Sequence, residues 1–112
     1  MRRPQLRRRM QLEAPQRSAD GAGGFAEIWQ ALGEVWADVS SMQGRETAVG
    51  GAAMSHNTQR IIVRAAPDGS VMRPRPDQRL REGTRIFTIL AVGDYDPAGH
   101  YLTCFTREEV AR

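Results

Sequence analysis

The densest apolar spacing in the chain lies in residues 24–46, the stretch GFAEIWQALGEVWADVSSMQGRE, which also holds both tryptophans. Apolar residues recur there at steps of three and four, which is the stripe of an amphipathic helix. The same residues also alternate as two short strands would, with Leu32-Gly33-Glu34 as a bend between them. Because a glycine inside a helix costs about 1 kcal/mol relative to alanine, Gly33 weakens the helical interpretation. The choice between helix and strands for this stretch therefore depends on the structure predicted for the rest of the chain.

The rest of the chain favours strands. Residues 5–14 alternate, so that Leu6, Met10 and Leu12 share a face with Arg8. Strand character returns in residues 54–64, in RIFTILAV and in YLTCFT, and RIFTILAV is the most continuously apolar run in the chain. Five strands without a convincing helix predict an all-β fold, a small antiparallel β-barrel or sandwich, and favour paired strands for the tryptophan stretch. The predicted core residues are Trp29, Trp36, Ile61, Val63, Ile86, Ile89 and Leu102.

Several segments between the strands are predicted as loops and turns. Pro15–Gly24 is a polar, glycine-rich connector, Pro67–Ser70 is a turn, and Leu80–Thr84 is a tight turn before RIFTILAV. Residues 40–54 form a long flexible loop that projects between strands, and a loop of that length in a small domain is usually functional or disordered. Residues 1–112 are expected to form a single domain.

Charge is concentrated near the start of the sequence. The net charge is +3, and all 16 basic residues are arginines. Arginine suits bidentate contacts with phosphates and carboxylates. A DNA or partner contact and a solvated charge on a strand edge are about equally compatible with the cluster, because no aromatic residue lies between its members. The cluster consists of Arg2, Arg3, Arg7, Arg8 and Arg9.

No group of residues predicts catalysis or a bound metal or cofactor. Cys104 lies in an apolar strand and cannot build a zinc site with His56 and His100, because the two histidines lie far apart in the sequence. Asp94 and Asp96 imitate the start of a calcium loop, but the position that needs a bidentate glutamate holds Phe105, so a hairpin turn is expected. No stretch is long and apolar enough to predict a membrane span. The sequence therefore predicts a binding or structural protein.

The order of several segments resembles the head-tail joining proteins of long-tailed bacteriophages. These neck subunits are also called head completion or stopper proteins, and gene transfer agents have counterparts. The resemblance covers almost the whole chain, although MRPRPDQ is richer in proline and the tail after YLTCF is longer than the family pattern. The segments that carry it are LRRRMQLEAP, GGFAEIWQALGEVWADV, GRE, TQRIIVRA, LREGTRIFTILAVGDYDP and YLTCF.

The resemblance implies a homo-oligomeric ring in the neck of a virion, assembled in the host cytoplasm. Its implied partners are portal and adaptor proteins on the head side, a tail terminator or tail tube on the tail side, and packaged double-stranded DNA in the channel. It also implies that residues of the long loop make inter-subunit or channel contacts. Those residues are Met42, Gln43, Gly44, Arg45, Glu46, Thr47, Val49 and Met54.

Two alternative functions remain open at this point. One is a small arginine-rich barrel that binds nucleic acid through the N-terminal arginines. The other is a neighbouring neck subunit, either an adaptor or a tail terminator. Adaptors tend to be helical, so a helical structure for residues 25–39 would favour that assignment.

Overall fold

A computed structural model describes residues 2–41, 48–49, 52–53 and 58–109. The described chain consists of strands, turns and extended segments and contains no helix. The strands are β1 (Arg8–Ala19), β2 (Phe25–Ser41), β3 (Ala48–Val49), β4 (Ala52–Ala53), β5 (Thr58–Arg64), β6 (Arg79–Glu82), β7 (Arg85–Asp94) and β8 (Tyr101–Glu108).

Six of the strands close into one antiparallel barrel, in the order β1-β2-β5-β8-β7-β6. A short ladder closes it, in which Gln11, Leu12 and Glu13 of β1 pair with Arg81, Leu80 and Arg79 of β6. Strands β3 and β4 form a separate two-stranded ribbon. The predicted all-β class and the small antiparallel barrel are confirmed.

Alternation along the strands sends every second side chain into the barrel. Phe87 and Leu80 are fully buried there, and the neighbouring strands contribute aliphatic side chains of similar burial. Burying a side chain of this size stabilises the fold by about 1.5–3 kcal/mol. The core consists of Met10, Leu12, Ala37, Ile61, Val63, Leu80, Phe87, Ile89, Leu102 and Cys104.

The tryptophan stretch is one continuous strand, β2, so the helical interpretation and the predicted division into two short strands are both wrong, while the predicted strand character is confirmed. Its register with β1 passes from Leu12↔Gly33 to Glu13↔Ala31, so Leu32 is an extra residue in a β-bulge at the predicted bend. The bulge changes the phase of alternation, which explains why the apolar spacing imitated a helix. A Cβ at Gly33 would lie 2.6 Å from the Sδ atom of Met72, so any other residue there would require the flexible side chain of Met72 to move.

The predicted core needs correction at three positions. Trp36 is 49% exposed, because the alternation that turns Ala37 inward turns its neighbour outward. Ile86 is half-buried on the outer face for the same reason, and the fully buried Phe87 takes the inward place beside it. Trp29 is also half-buried, on the outer side of β2. The other predicted core residues, Ile61, Val63, Ile89 and Leu102, are buried.

Two predicted boundaries also change. β1 continues to Ala19, through the residues predicted as a connector, and Pro15 is tolerated because β6 pairs with residues 11–13 only and leaves that edge of β1 open. Arg79–Glu82 forms β6 where a tight turn was predicted, and the turn itself is confined to residues 83 and 84. The remaining predicted strands correspond to β5, β7 and β8.

The predicted loop at residues 40–54 lies mostly outside the described residues. Ser40 and Ser41 belong to β2, and residues 48–49 and 52–53 form the β3-β4 ribbon. Residues 42–47, 50, 51 and 54 are not among the described ones.

Replacing Phe87 with alanine tests the assignment of the core. We expect Phe87→Ala to lower the free energy of unfolding by about 3–5 kcal/mol, since it empties a fully buried site. The matched control is Trp36→Ala, which should cost much less because half of that side chain already meets solvent. Urea unfolding followed by circular dichroism measures both. An equal or larger loss for Trp36→Ala would contradict the inside-outside assignment.

Candidate interaction surfaces

Polar side chains fill one end of the barrel, at the end where β2 stops at Ser41 and β5 starts at Thr58. Each shares the inward face of its strand with a buried residue two positions away, as Arg8 does with Met10 and Gln59 with Ile61. Residues 42–57 connect to the barrel at this end. We call the group the end cluster, and it consists of Arg8, Gln59, Glu82, Arg85 and Glu108.

Two bidentate ion pairs hold the end cluster together. Arg8 donates from Nε and Nη2 to the Oε2 and Oε1 atoms of Glu82, at 2.9 and 2.5 Å. Arg85 donates in the same way to Glu108, at 2.7 and 2.9 Å. Arg85 also lies 3.9 Å from Glu82, which links the two pairs. Bidentate arginine-carboxylate contacts fix both position and orientation, so the cluster ties four strands together at this end.

The end cluster shifts the acid-base properties of its members. The hydrogen bonds from Arg8 lower the pKa of Glu82, and those from Arg85 lower the pKa of Glu108. The reciprocal contacts raise the pKa of Arg8 and of Arg85. Both carboxylates are therefore held in their charged form in the folded protein.

Gln59 extends the end cluster toward the barrel interior. Its Nε2 atom donates to Glu108 at 3.1 Å, and the hydroxyl of Thr106 donates to its backbone oxygen at 3.1 Å. The Oε1 atom of Gln59 is buried and has no hydrogen-bond partner among the described residues. A buried acceptor without a hydrogen bond lowers the stability of the fold by about 1–3 kcal/mol. It lies one residue from the start of β5, next to the connection to residues 42–57.

The N-terminal segment crosses the outside of the barrel. Asp38 of β2 accepts a hydrogen bond from Nη2 of Arg2 at 3.0 Å and from the backbone N–H of Gln5 at 2.8 Å. The hydroxyl of Tyr95 donates to the backbone oxygen of Arg2. Pro4 is buried, and so is Ile62, which points outward from β5 beside Asp38 in the ladder. The segment therefore acts as an ordered strap over β2 and β5.

The predicted N-terminal arginine cluster is divided by the fold. Three members are in ion pairs, while the other two are exposed and have no ion pair with the described residues. Arg2 pairs with Asp38 at 3.0 Å, Arg8 with Glu82 at 2.5 Å and Arg9 with Glu34 at 3.4 Å, and the exposed members are Arg3 and Arg7.

The predicted loop contacts fall mostly outside the described residues. This applies to residues 42–47 and to Met54. Val49 lies in β3 and pairs with Ala52 of β4.

A projecting hairpin occupies the segment that was predicted as a connector without strands. Beyond Glu13, β1 pairs with β2 alone for six residues, and this ribbon extends roughly 20 Å from the closing ladder. At its tip, Oδ1 of Asp20 accepts hydrogen bonds from the N–H groups of Ala22 and Gly24, at 2.8 and 3.0 Å, and these contacts lower its pKa. The exposed aromatic Phe25, at the start of β2, was the available sequence signal.

The base of the hairpin is fixed by a buried carboxylate. Glu13 is 4% exposed and contacts Nε of Arg79 at 2.7 Å and Nε of Arg81 at 3.0 Å. The guanidinium of Arg79 also lies over the ring of Trp29, 4.0 Å from its centroid. Trp29 therefore anchors the hairpin on the outer side of the barrel instead of filling the core.

Other candidate sites have structural roles in the described chain. Asp96 accepts hydrogen bonds from the N–H groups of His100 and Tyr101, at 3.3 and 2.9 Å, which is the hairpin turn expected in place of a calcium loop. Among the described residues, no three His, Cys, Asp or Glu side chains come together as metal ligands. No helix of the described chain is long and apolar enough to cross a membrane.

Comparisons with known proteins agree with the fold. Residues 1–109 match the family model described as phage head completion protein. A chain from the structure of a native gene transfer agent virion is 50% identical, with a TM-score of 0.70, over 97% of this chain and 100% of that one. The solution structure of protein SF1141 from Shigella flexneri 2a is 24% identical, with a TM-score of 0.74 over the full length of both chains, and shares the fold. A comparison with curated protein sequences returned no match.

Acidification tests the end cluster. The pKa values of Glu82 and Glu108 are lowered in the folded state, so their contribution to stability is present above the pKa of an unfolded glutamate and is lost as pH falls through the folded value. We expect Glu108→Gln to lose less stability than the native chain when pH falls from about 6 to about 3. Urea unfolding at each pH measures the difference.

The matched control is Glu109→Gln, which changes an exposed carboxylate beside Glu108 in sequence. It should leave the acid-dependent loss of stability as it is in the native chain. If Glu108→Gln and Glu109→Gln respond alike to acid, the ion pairs of the end cluster do not set this pH dependence.

Proposed function

The chain belongs to the phage head completion protein family, and from that membership we propose that it is a structural subunit of the head-tail connector in a phage-like particle. The observation that carries the proposal is the chain of a gene transfer agent virion that is 50% identical in sequence to this chain and is matched over its whole length. The protein would act in the virion neck after assembly in the host cytoplasm. Its role would be mechanical, with no catalytic residue, metal or cofactor.

We propose that the subunits form a ring. The ring would lie between the portal and adaptor on the head side and the tail terminator or tail tube on the other side. A closed barrel suits such a position, because its pairing leaves few open strand edges and its shape resists deformation. The chain would repeat one heterologous contact around the ring.

The ring would also help to retain packaged DNA through residues 42–54. Support comes from the end cluster, which ties together the strands around the point where residues 42–57 leave and rejoin the barrel. A segment of small residues on so rigid a base can be positioned by its neighbours on assembly, at an entropic cost that the interface must offset. The residues proposed for inter-subunit or channel contacts are Met42, Gln43, Gly44, Arg45, Glu46, Thr47, Val49 and Met54.

The alternative of a free nucleic-acid-binding barrel has less support. Ion pairs with carboxylates already occupy Arg2, Arg8 and Arg9, and two of these pairs belong to the strap and the end cluster. Only Arg3 and Arg7 of the predicted cluster are exposed without such a pair in the described chain. The absence of helix in the described residues also disfavours a helical adaptor, whereas a tail terminator remains a neighbouring possibility.

Deletion of the gene tests the connector role. We expect cells lacking the protein to yield empty or leaking heads and separate, complete tails, because the seal and the joint between them would be missing. Electron microscopy of the particles scores both. Expression of the native chain from a plasmid is the control and should restore tailed particles. Normal tailed particles without the protein would contradict the proposal.

Shortening the segment tests its part in DNA retention. We expect removal of residues 50–53 to let packaged DNA escape, because the segment would no longer reach into the channel. The fraction of DNA-filled heads that resist nuclease measures retention. The control replaces the same four residues with Gly-Ser-Gly-Ser, which keeps the length. Full retention after the deletion would show that this segment does not close the channel.

A further inference from the structure

The tip of the β1-β2 hairpin carries an exposed apolar knob. Phe25 is 62% exposed at the start of β2, in the part of the hairpin where β1 pairs only with β2, whereas the exposed Ile28 lies on the opposite face of the ribbon. The guanidinium of Arg17 lies 4.4 Å from the centre of the Phe25 ring and covers one side of it. An aromatic side chain held in place at the end of a projection is available for contact with another molecule.

A notch lies beside the other half of β2. The ladder between β2 and β5 ends at Ala37↔Val63, and beyond this pair the two strands leave a cleft of about 620 Å³. Trp36 is 49% exposed in it. We call this cleft the notch. Its apolar wall includes Trp36, Ala65, Ala66 and Met72, and the charged residues Glu34 and Arg64 also line it.

The charges of the knob and of the notch are complementary. Arg17 and Glu27 face each other across the hairpin, one on each strand beside Phe25. At the notch, the negative Glu34 can face Arg17 and the positive Arg64 can face Glu27. The side chain of Glu34 is 58% exposed in spite of its contact with Arg9. An aromatic flanked by one charge of each sign thus matches an apolar cleft flanked by one charge of each sign.

The knob cannot enter the notch of its own chain. Both lie on β2, and the nine residue-to-residue steps from Phe25 to Glu34 span about 30 Å of extended strand. The occupant must therefore be a second molecule. Because the knob and the notch are different surfaces of one chain, a contact between them is heterologous and repeats around a ring or along a filament.

We propose that the hairpin tip of one copy of this chain occupies the notch of the next copy, with Phe25 against Trp36, Arg17 facing Glu34 and Glu27 facing Arg64. The inference rests on the proposed ring. It places an inter-subunit contact at the hairpin, in addition to the contacts proposed for residues 42–54.

Thiol cross-linking within assembled particles tests the contact. The native Cys104 is fully buried, and burial raises its pKa to about 12, so it does not react. A chain with both Phe25→Cys and Trp36→Cys places one thiol at each surface. After treatment of particles with a short bismaleimide, we expect a ladder of linked multimers on a denaturing gel.

Three controls make the result specific. Phe25→Cys alone and Trp36→Cys alone should stay monomeric. The pair Phe25→Cys with Leu90→Cys should also give no ladder, because Leu90 is similarly exposed but lies on β7. Dimers from Phe25→Cys alone would show a tip-to-tip contact and overturn the proposal, as would a ladder from the Leu90 pair equal to that from the Trp36 pair.

Charge reversal gives a second test that does not depend on cysteine substitution. We expect Arg17→Glu to reduce the number of tailed particles, and Glu34→Arg in the same chain to recover part of the loss. Failure of the second change to recover any loss, together with no cross-linked ladder, overturns this inference. The connector role itself fails only if deletion of the gene leaves normal tailed particles, so the two failures are distinguishable.

Discussion

The short ladder between β1 and β6 is the constraint on which the rest of the barrel depends. It consists of three residue pairs, yet it closes the sheet and brings Leu80 into the core beside Leu12. The same register places Arg79 and Arg81 on either side of the buried carboxylate of Glu13. An isolated buried carboxylate would be costly, and its two arginine partners offset that cost only when the ladder is formed. Closure of the barrel and pairing of these charges are therefore one event.

The part of β1 that the ladder leaves unpaired determines the shape of the rest of the molecule. Since β6 ends at Glu82 and begins at Arg79, it covers only the middle of β1, and the rest of β1 can pair only with β2. That geometry produces the projecting hairpin, and the contact of Arg79 with Trp29 stiffens its base. At the opposite end, β1 contributes Arg8 to the end cluster. β1 thus contributes to the end cluster at one end and to the projecting hairpin at the other.

The sequence predicted those parts of the fold that depend on local pattern. The fold class, β5, β7, β8 and the turn at residues 67–70 follow from apolar alternation and turn residues. β6 has a single apolar residue, Leu80, so only its partners reveal it as a strand. The common face of Arg8 and Met10 was predictable, but the partner of Arg8, Glu82, lies 74 positions away in sequence. Residues 15–19, the β1 half of the projecting hairpin, were predicted as loop because they are polar and exposed.

The bulge at Leu32 connects the error in the core prediction to the proposed contact. Trp29 and Trp36 are seven residues apart, so regular alternation would place them on opposite faces of β2. The extra residue restores them to the same outer face, where Trp29 binds Arg79 and Trp36 borders the notch. Two aromatics that the apolar pattern assigns to a core are thereby moved to the surface. Among the described strand residues, Trp36 joins Phe25, Ile28 and Leu90 as large apolar side chains exposed to solvent. The proposed contact would bury Trp36 against Phe25 of a second copy.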